Sequence, residues 1–281
     1  MSKATWYLGP LGDLRALTCP EPGIKDTVVR FGGVHQGLSG ARTVDVTGHR
    51  SELSFDWKYM EKAEWKWLKA LHTRHIPGPF RLIKPTGVNR LSLQASSCYP
   101  LPTTNGLGVY NTVSNVEWAL DWPADADPGY RSLRLSSFAA SQILRWDFSG
   151  QTPVFPGETI TASLYAKTET AGQTFSLTVD YYDRTGAQTS SAPWVSCTPT
   201  TDWQRFNVTT TVPEGTASVV FALITGDFVG PVRIAAAQLE SGSAPTDWEQ
   251  GGSAPTVHID QLETSSPLFP LTDCSMTLLE A

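Results

Sequence analysis

Apolar and polar positions keep a period of two along most of this chain and depart from it once. Residues 41–48 and 51–57 alternate, with Val44, Val46, Leu53, Phe55 and Trp57 as candidates for buried faces and Gly48-His49-Arg50 as the turn of a hairpin. Over residues 59–74 the spacing becomes three and four: Trp65, Leu68 and Leu71 recur, with Met60 and Trp67 alongside, and predict an amphipathic helix. Pro77-Gly78-Pro79 ends it, and residues 80–84 give another strand. Residues 132–137, 143–148, 159–167, 174–182, 205–212, 217–225 and 232–239 then read as strands, divided by turn signals such as Pro156-Gly157 and Arg184-Thr185-Gly186. In the fourth of these, Phe175, Leu177, Val179 and Tyr181 share one face and Ser176, Thr178, Asp180 and Tyr182 the other, which predicts one wet side. With no helical pattern interrupting the run, a two-sheet, jelly-roll-like sandwich is the natural packing.

The chain does not fray after the sandwich strands. Ser241-Gly242-Ser243-Ala244-Pro245 and Gly251-Gly252-Ser253-Ala254-Pro255 bracket Thr246-Asp247-Trp248-Glu249, and beyond them Val257, Ile259, Leu262, Leu268, Phe269, Met276 and Leu278 make an apolar tail. Left free, such a tail exposes surface that favours burial, so it is expected to return to the first domain as one or two strands. The expected fold class is therefore mainly β: an N-terminal β domain with one helix (1–93) completed by the C-terminal segment (252–281), and an inserted β-sandwich or jelly roll (94–251).

Composition narrows the function classes. Of 281 residues 40% are hydrophobic and 17% charged, with 23 Gly and 20 Pro, the profile of an ordered, turn-rich β protein. A net charge of −6 argues against nucleic acid or an anionic membrane as partner, since phosphate binding needs clustered Lys and Arg. Lys62, Lys66, Lys69 and Arg74 alternate with Glu61 and Glu64 and read as a solvated helix face. The amino terminus lacks a signal-like apolar region and no stretch reaches spanning length, so cytosolic synthesis without membrane insertion is expected. Cys19, Cys98, Cys197 and Cys274 are dispersed, which predicts buried free thiols and no disulfide framework.

Catalytic signatures are missing: there is no HExxH, no GxSxG and no glycine-rich phosphate loop. His72 and His75 are better explained by a helix C-terminus than by a metal. Asp180, Asp183, Glu158 and Glu117 are the residue types of a glycosidase pair, but such carboxylates arise wherever turns face water. Ten Trp is a high count, and most are expected in packing. A glycan site needs a flat exposed ring beside hydrogen-bonding groups; Trp194, Tyr182, Trp122 and Tyr130 are the candidates. Cofactors are not expected, and a structural calcium ion near Asp125, Asp127 or Glu117 would lack any EF-hand-like spacing. For self-association, Trp57, Tyr59, Trp65 and Trp67 are expected at a subunit interface, because one helix and a few strands offer little core for so many rings.

Several of these stretches carry a resemblance. Residues 32–46 (GGVHQGLSGARTVDV), 53–57 (LSFDW), the helix at 64–71, 78–85 (GPFRLIKP) and Asn89-Arg90-Leu91 resemble the amino-terminal domain of minor tail proteins of long-tailed actinobacteriophages, most of all the distal tail protein. Residues 156–167 (PGETITASLYAK), 202–208 (DWQRFNV) and 232–249 (VRIAAAQLESGSAPTDWE) resemble jelly-roll carbohydrate-binding modules carried by such proteins. The resemblance implies a non-enzymatic virion protein at the tail tip that forms a ring, a hexamer before a trimer. It implies contacts with the tail tube protein and other tail-tip or hub proteins, and an outward module that touches host cell-wall glycan. In related modules an acidic residue near the Gln-Leu-Glu segment helps hold calcium; here Ala235, Ala236 and Ala237 occupy that stretch. A free carbohydrate-binding protein and a tail-borne polysaccharide depolymerase are the alternatives.

Overall fold

A computed structural model describes all residues except 1–4, 38, 46–47, 99–108, 112–115, 128, 130, 137–141, 227–229 and 269, with backbone alone at 109–111 and 267–268. The chain is mainly β and divides into two compact units: Met1–Pro10, Leu14–Leu82 and Pro255–Ala281 in one, Leu11–Asp13 and Ile83–Ala254 in the other.

The first unit is a seven-stranded sheet in the order Arg15–Ala16, Tyr7–Pro10, Phe80–Ile83, Thr256–Leu268, Leu271–Glu280, Gly48–Met60, Lys25–Phe31. The C-terminal hairpin thus lies in the middle of the sheet, pairing Val257 with Phe80 on one side and Met276 with Phe55 on the other. Alternation in Leu271–Glu280 buries Thr272, Cys274, Met276 and Leu278. Val257, Met276 and Leu278 share one core with Leu53, Phe55, Trp57, Trp67, Leu68 and Leu71. The helix Lys62–His72 lays Trp67, Leu68 and Leu71 into that core, and Thr73 closes its last turn by donating to the Lys69 carbonyl.

The second unit is a sandwich. One sheet runs Gln204–Thr211, Thr159–Thr168, Val232–Ser241, Ser132–Leu135, Val116–Ala119; the other runs Gln188–Ser191, Phe175–Tyr182, Ser218–Thr225, Ile143–Trp146, Val109–Asn111, with Thr152–Pro153 and Val195–Cys197 paired beside it. Successive long strands alternate between the sheets, the jelly-roll connection, and their inward residues make one core in which Trp146 stacks on Phe221 at 4.9 Å. Among the described residues no helix is long and apolar enough to cross a membrane.

Several expectations are corrected. Arg42–Val44 does not pair with residues 51–57; it pairs with Val34–Gln36, and Gly48–Met60 pairs instead with Lys25–Phe31 and Leu271–Glu280. Val44 is accordingly exposed, and Val46 lies outside the described residues. Tyr59 and Met60 belong to the strand, because Tyr59 takes a positive φ of 56° and separates strand from helix. Trp57 and Trp67 are buried in their own unit, whose long hairpin supplies more core than one helix and a few strands imply; Tyr59 is exposed and Trp65 half-buried. Residues 83–93, expected with the first domain, pack in the sandwich unit. Cys98, Cys197 and Cys274 are buried free thiols, pushed up to about 12, about 11 and about 11 by burial, whereas Cys19 is exposed.

Deleting residues 252–281 removes two strands from the centre of a sheet and several side chains worth roughly 1.5–3 kcal/mol each when buried. Denaturation of the truncated chain is expected to show one cooperative transition lost, or the chain insoluble. Calorimetric traces matching the full chain would contradict this.

Candidate functional site

The outward face of the five-stranded sheet carries a row of charged side chains, half-buried at Arg134, Arg233 and Lys167 and exposed at Glu117. Register places Glu117, Arg134, Arg233 and Lys167 side by side on four neighbouring strands. Each cation sits between residues of the buried core, as in Leu133-Arg134-Leu135 and Val232-Arg233-Ile234, so period two forces the charge outward. Glu169 accepts from Arg134 at 3.0 Å and Arg233 at 2.9 Å, while Glu117 pairs with Arg134. Asp121 accepts from Lys167 at 2.5 Å, Arg233 at 2.7 Å and the Trp203 indole at 3.4 Å. Lys167 also lies 5.0 Å from the Trp203 ring centre, a cation–π distance. The side-chain hydrogen bonds of Arg134 and Arg233 pull the Glu169 carboxyl down to about 2. Partial burial opposes ionisation of Asp121, but Lys167, Trp203 and Arg233 overcome it and hold that carboxyl below its usual range.

Beside this row the face is closed by a small second core of Ala126, Tyr165, Ala235, Ala236 and Trp248, with Trp122 and Trp203 packed against it. Trp122 meets Trp248 edge-on at 5.3 Å and donates to the Ala126 carbonyl, so it is half-buried. Ala236 has a positive φ of 53° at the point where the pairing of Val232–Ser241 with Thr159–Thr168 shifts register, a β-bulge.

The stretch after the bulge is wired to itself. The buried Glu240 carboxylate accepts from the Thr246 backbone at 3.0 Å, the Thr246 hydroxyl at 2.6 Å and the Gln238 amide at 2.7 Å. Gln238 accepts from the Glu249 backbone at 2.8 Å, and the Trp248 indole donates to the Ala237 carbonyl at 3.3 Å. Asn89, fully buried, donates to the carbonyls of Ala237 and Glu249 and accepts from the backbone of Leu91 and Leu239. This is why residues 83–93 belong to the sandwich. Arg90 adds a bidentate pair to Glu158 at 2.6 and 3.0 Å; burial works against the charged carboxyl, and Arg90 outweighs it and keeps it below its usual range. The Gln-Leu-Glu and Thr-Asp-Trp-Glu segments therefore have a structural use.

The four sequence-predicted glycan residues are not brought together. Trp194 is 47% exposed, on the loop before Val195–Cys197 and so at the other sheet. Tyr182, expected on a wet face, is buried; Asp180 beside it pairs with Arg145 at 2.9 Å and Ser191 at 2.6 Å, and Thr178 donates to the Ala192 carbonyl. Asp180 and Thr178 on that face are satisfied inside the protein, whereas the buried Tyr182 hydroxyl has no hydrogen-bond partner among the described residues; burial, then the Asp180 charge, raises it above its usual range. Tyr130 lies outside the described residues. Glu117 is held by Arg134, and among the described residues no group of three or more His, Cys, Asp or Glu is placed to hold a metal ion. Sequence reasoning missed Arg134, Arg233, Lys167, Asp121, Glu169 and Trp203. Their signal was a single cation between buried neighbours in three separate strands, apolar on both sides of Arg134 and Arg233, and Ala166 and Thr168 beside Lys167, which only strand order turns into a row.

No protein-family model and no curated protein matches this chain. Solved structures similar to part of it include the enzymatically active domain of tailspike protein 4 of bacteriophage CBA120, at 16% identity over 55% of this chain and 22% of that one, TM-score 0.43. They also include the CBM22-1 xylan-binding domain of Paenibacillus barcinonensis Xyn10C, at 16% identity over 57% of this chain and 99% of that one, TM-score 0.39. A structure described as CBM4 is similar at 14% identity over 53% of this chain and 98% of that one, TM-score 0.39. The chain spans about a fifth of the tailspike structure, 22% of its length.

Two outcomes follow. Asn89→Ala leaves two buried carbonyls and two buried backbone donors without their partner and is expected to destabilise the sandwich by about 2–4 kcal/mol in urea titration; a loss under about 0.5 kcal/mol would contradict the wiring. Glu169 has a folded-state value below its unfolded one, so its stabilisation is complete above about 4.5 and is lost as pH falls through about 2. Because the pair is exposed the effect is small. Glu169→Gln should flatten that part of the acid stability profile; an unchanged profile would remove Glu169 from it.

Proposed function

We propose that the protein is a structural component of a phage tail tip, without enzymatic activity, whose sandwich unit binds host cell-surface glycan. The observation that carries the glycan reading is the row Glu117, Arg134, Arg233 and Lys167, with Glu169, Asp121 and the Trp203 ring, on one flat sheet face. Carboxylates accept and guanidinium groups donate, so fixed charges at strand spacing match the alternating donors and acceptors of sugar hydroxyls, and the half-buried Trp203 indole borders them. The ion pairs hold these side chains in place before any ligand arrives, which lowers the ordering cost of binding.

The virion reading is supported by the resemblance of residues 32–46, 78–85 and 89–91 to distal tail proteins, and by a chain in which one unit is inserted into the sequence of the other. The sheet unit forms a ring in the virion, a hexamer before a trimer, and contacts the tail tube and other tail-tip or hub proteins. Neither cofactor nor metal is required.

The test is binding of the full chain to cell-wall polysaccharide of the host, followed by calorimetry. Arg233→Ala and Trp203→Ala are each expected to weaken binding about tenfold with thermal stability little changed. Trp194→Ala is the discriminating control: if it alone weakens binding, the site is the exposed loop of the other sheet. Release of reducing sugar by the purified protein would show a depolymerase instead.

A further inference from the structure

The first unit carries a segment that its own fold leaves uncovered. The edge strand Lys25–Phe31 has all seven residues exposed, and the ribbon Val34–Gln36 with Arg42–Val44 follows it directly. Val28 is 66% exposed, Phe31 50% and Val34 60%; Val29 and Val44 are exposed as well. Register puts Val28 opposite Ser51 and Val29 opposite Arg50, so adjacent apolar residues point to opposite faces and both faces of the strand are bare. An edge strand with free backbone groups and apolar side chains on both faces invites pairing, and natural edges are ordinarily blunted against it.

The charges on this segment identify the partner. Lys25, Arg30, Arg42 and Arg50 stand against Asp26 and Asp45, in a chain of net charge −6. On the same unit, a groove of about 640 Å³ crosses the strands Gly48–Met60, Leu271–Glu280 and Thr256–Leu268, and its lining includes Glu21, Asp56, Glu263 and Asp273. Lys58 is the cation among the lining residues, and it pairs with Asp273 at 3.0 Å. Asp56 and Glu263 are exposed and both pair in register with Ser275, so the two carboxylates stand on one face of the sheet on either side of Ser275, two strand spacings (about 10 Å) apart.

We propose that the edge strand Lys25–Phe31 and the ribbon Val34–Gln36 with Arg42–Val44 of one copy dock into the Glu21–Asp56–Glu263–Asp273 groove of a second copy. Basic apolar segment and acidic groove are different surfaces of the same unit, so the contact is either exchanged reciprocally in a two-fold dimer or repeated head to tail, and the head-to-tail form gives a ring when its rotation closes. Charge complementarity sets the register of docking, while Val28, Val29, Phe31, Val34 and Val44 supply the apolar area. This rests on the reading that the sheet unit self-associates and names the surfaces that do it.

Native mass spectrometry and light scattering of the full chain over a dilution series test it, with circular dichroism to confirm folding; the substituted side chains lie outside the core, Arg50 half-buried and the others exposed. Wild type is expected to form a closed oligomer, and Val28→Asp with Phe31→Asp to give a folded monomer. Arg30→Glu with Arg50→Glu, and separately Asp56→Lys with Glu263→Lys, are each expected to be monomeric, and mixing the two charge-reversed chains to restore an assembly containing both. A wild-type monomer at every concentration overturns both this inference and self-association. An oligomer that survives the ribbon substitutions overturns this inference and leaves self-association standing. Failure of the mixed chains to assemble, when each is monomeric alone, overturns the groove as the acceptor.

Discussion

The structure depends on the chain leaving and re-entering one sheet at neighbouring strands. Phe80–Ile83 and Thr256–Leu268 pair side by side, through Phe80 with Val257 and Arg81 with Thr256. Because the exit and the return are hydrogen-bonded partners, some 170 residues between them cost the first unit little more than a single turn would, since closure entropy grows only logarithmically with loop length. The same constraint makes the tail indispensable. Its hairpin bridges Phe80–Ile83 to Gly48–Met60, and without it the sheet has no centre.

In the sandwich unit, the return path is fixed by polar groups taken fully out of water. Glu240, Gln238 and Asn89 are all buried, and each satisfies backbone groups of the strand end and the segment after it. A buried network of this kind is favourable only when complete, so it holds a single arrangement of residues 237–251 against alternatives. Gly251, whose backbone donates to the Ser96 hydroxyl, approaches the Leu91 and Ser92 carbonyls so closely that a Cβ would lie within 2.6 Å of both. Glycine at that position is a matter of space.

The remaining surface divides into two kinds. On the five-stranded sheet every charge in the central row has an opposite partner within hydrogen-bond distance, which makes it rigid and half-dry, a surface suited to polar ligands. On the first unit, the strands Lys25–Phe31, Val34–Gln36 and Arg42–Val44 are apolar, basic and exposed, a surface suited to burial. The two surfaces lie on different units of one chain.

The sequence by itself determined the mainly β class, the two-unit layout with a returning tail and the positions of the long sandwich strands, because period two and turn residues are local signals that survive in any context. Residues 159–167 were legible as Thr159–Thr168 and residues 217–225 as Ser218–Thr225 for that reason. Partners were not local. Whether residues 51–57 pair with 41–48 or with Lys25–Phe31 depends on which strand competes best for an edge, and the alternation is the same for both. Tyr182 reads as exposed from its phase in the strand, yet an Arg145–Asp180 pair and the Ala192 carbonyl let the protein bury a polar face. Arg134, Arg233 and Lys167 lie up to 99 residues apart and become one row only through strand order. Period fixes which way a side chain points; what it meets there is decided by strand neighbours that the folded sheet alone brings together.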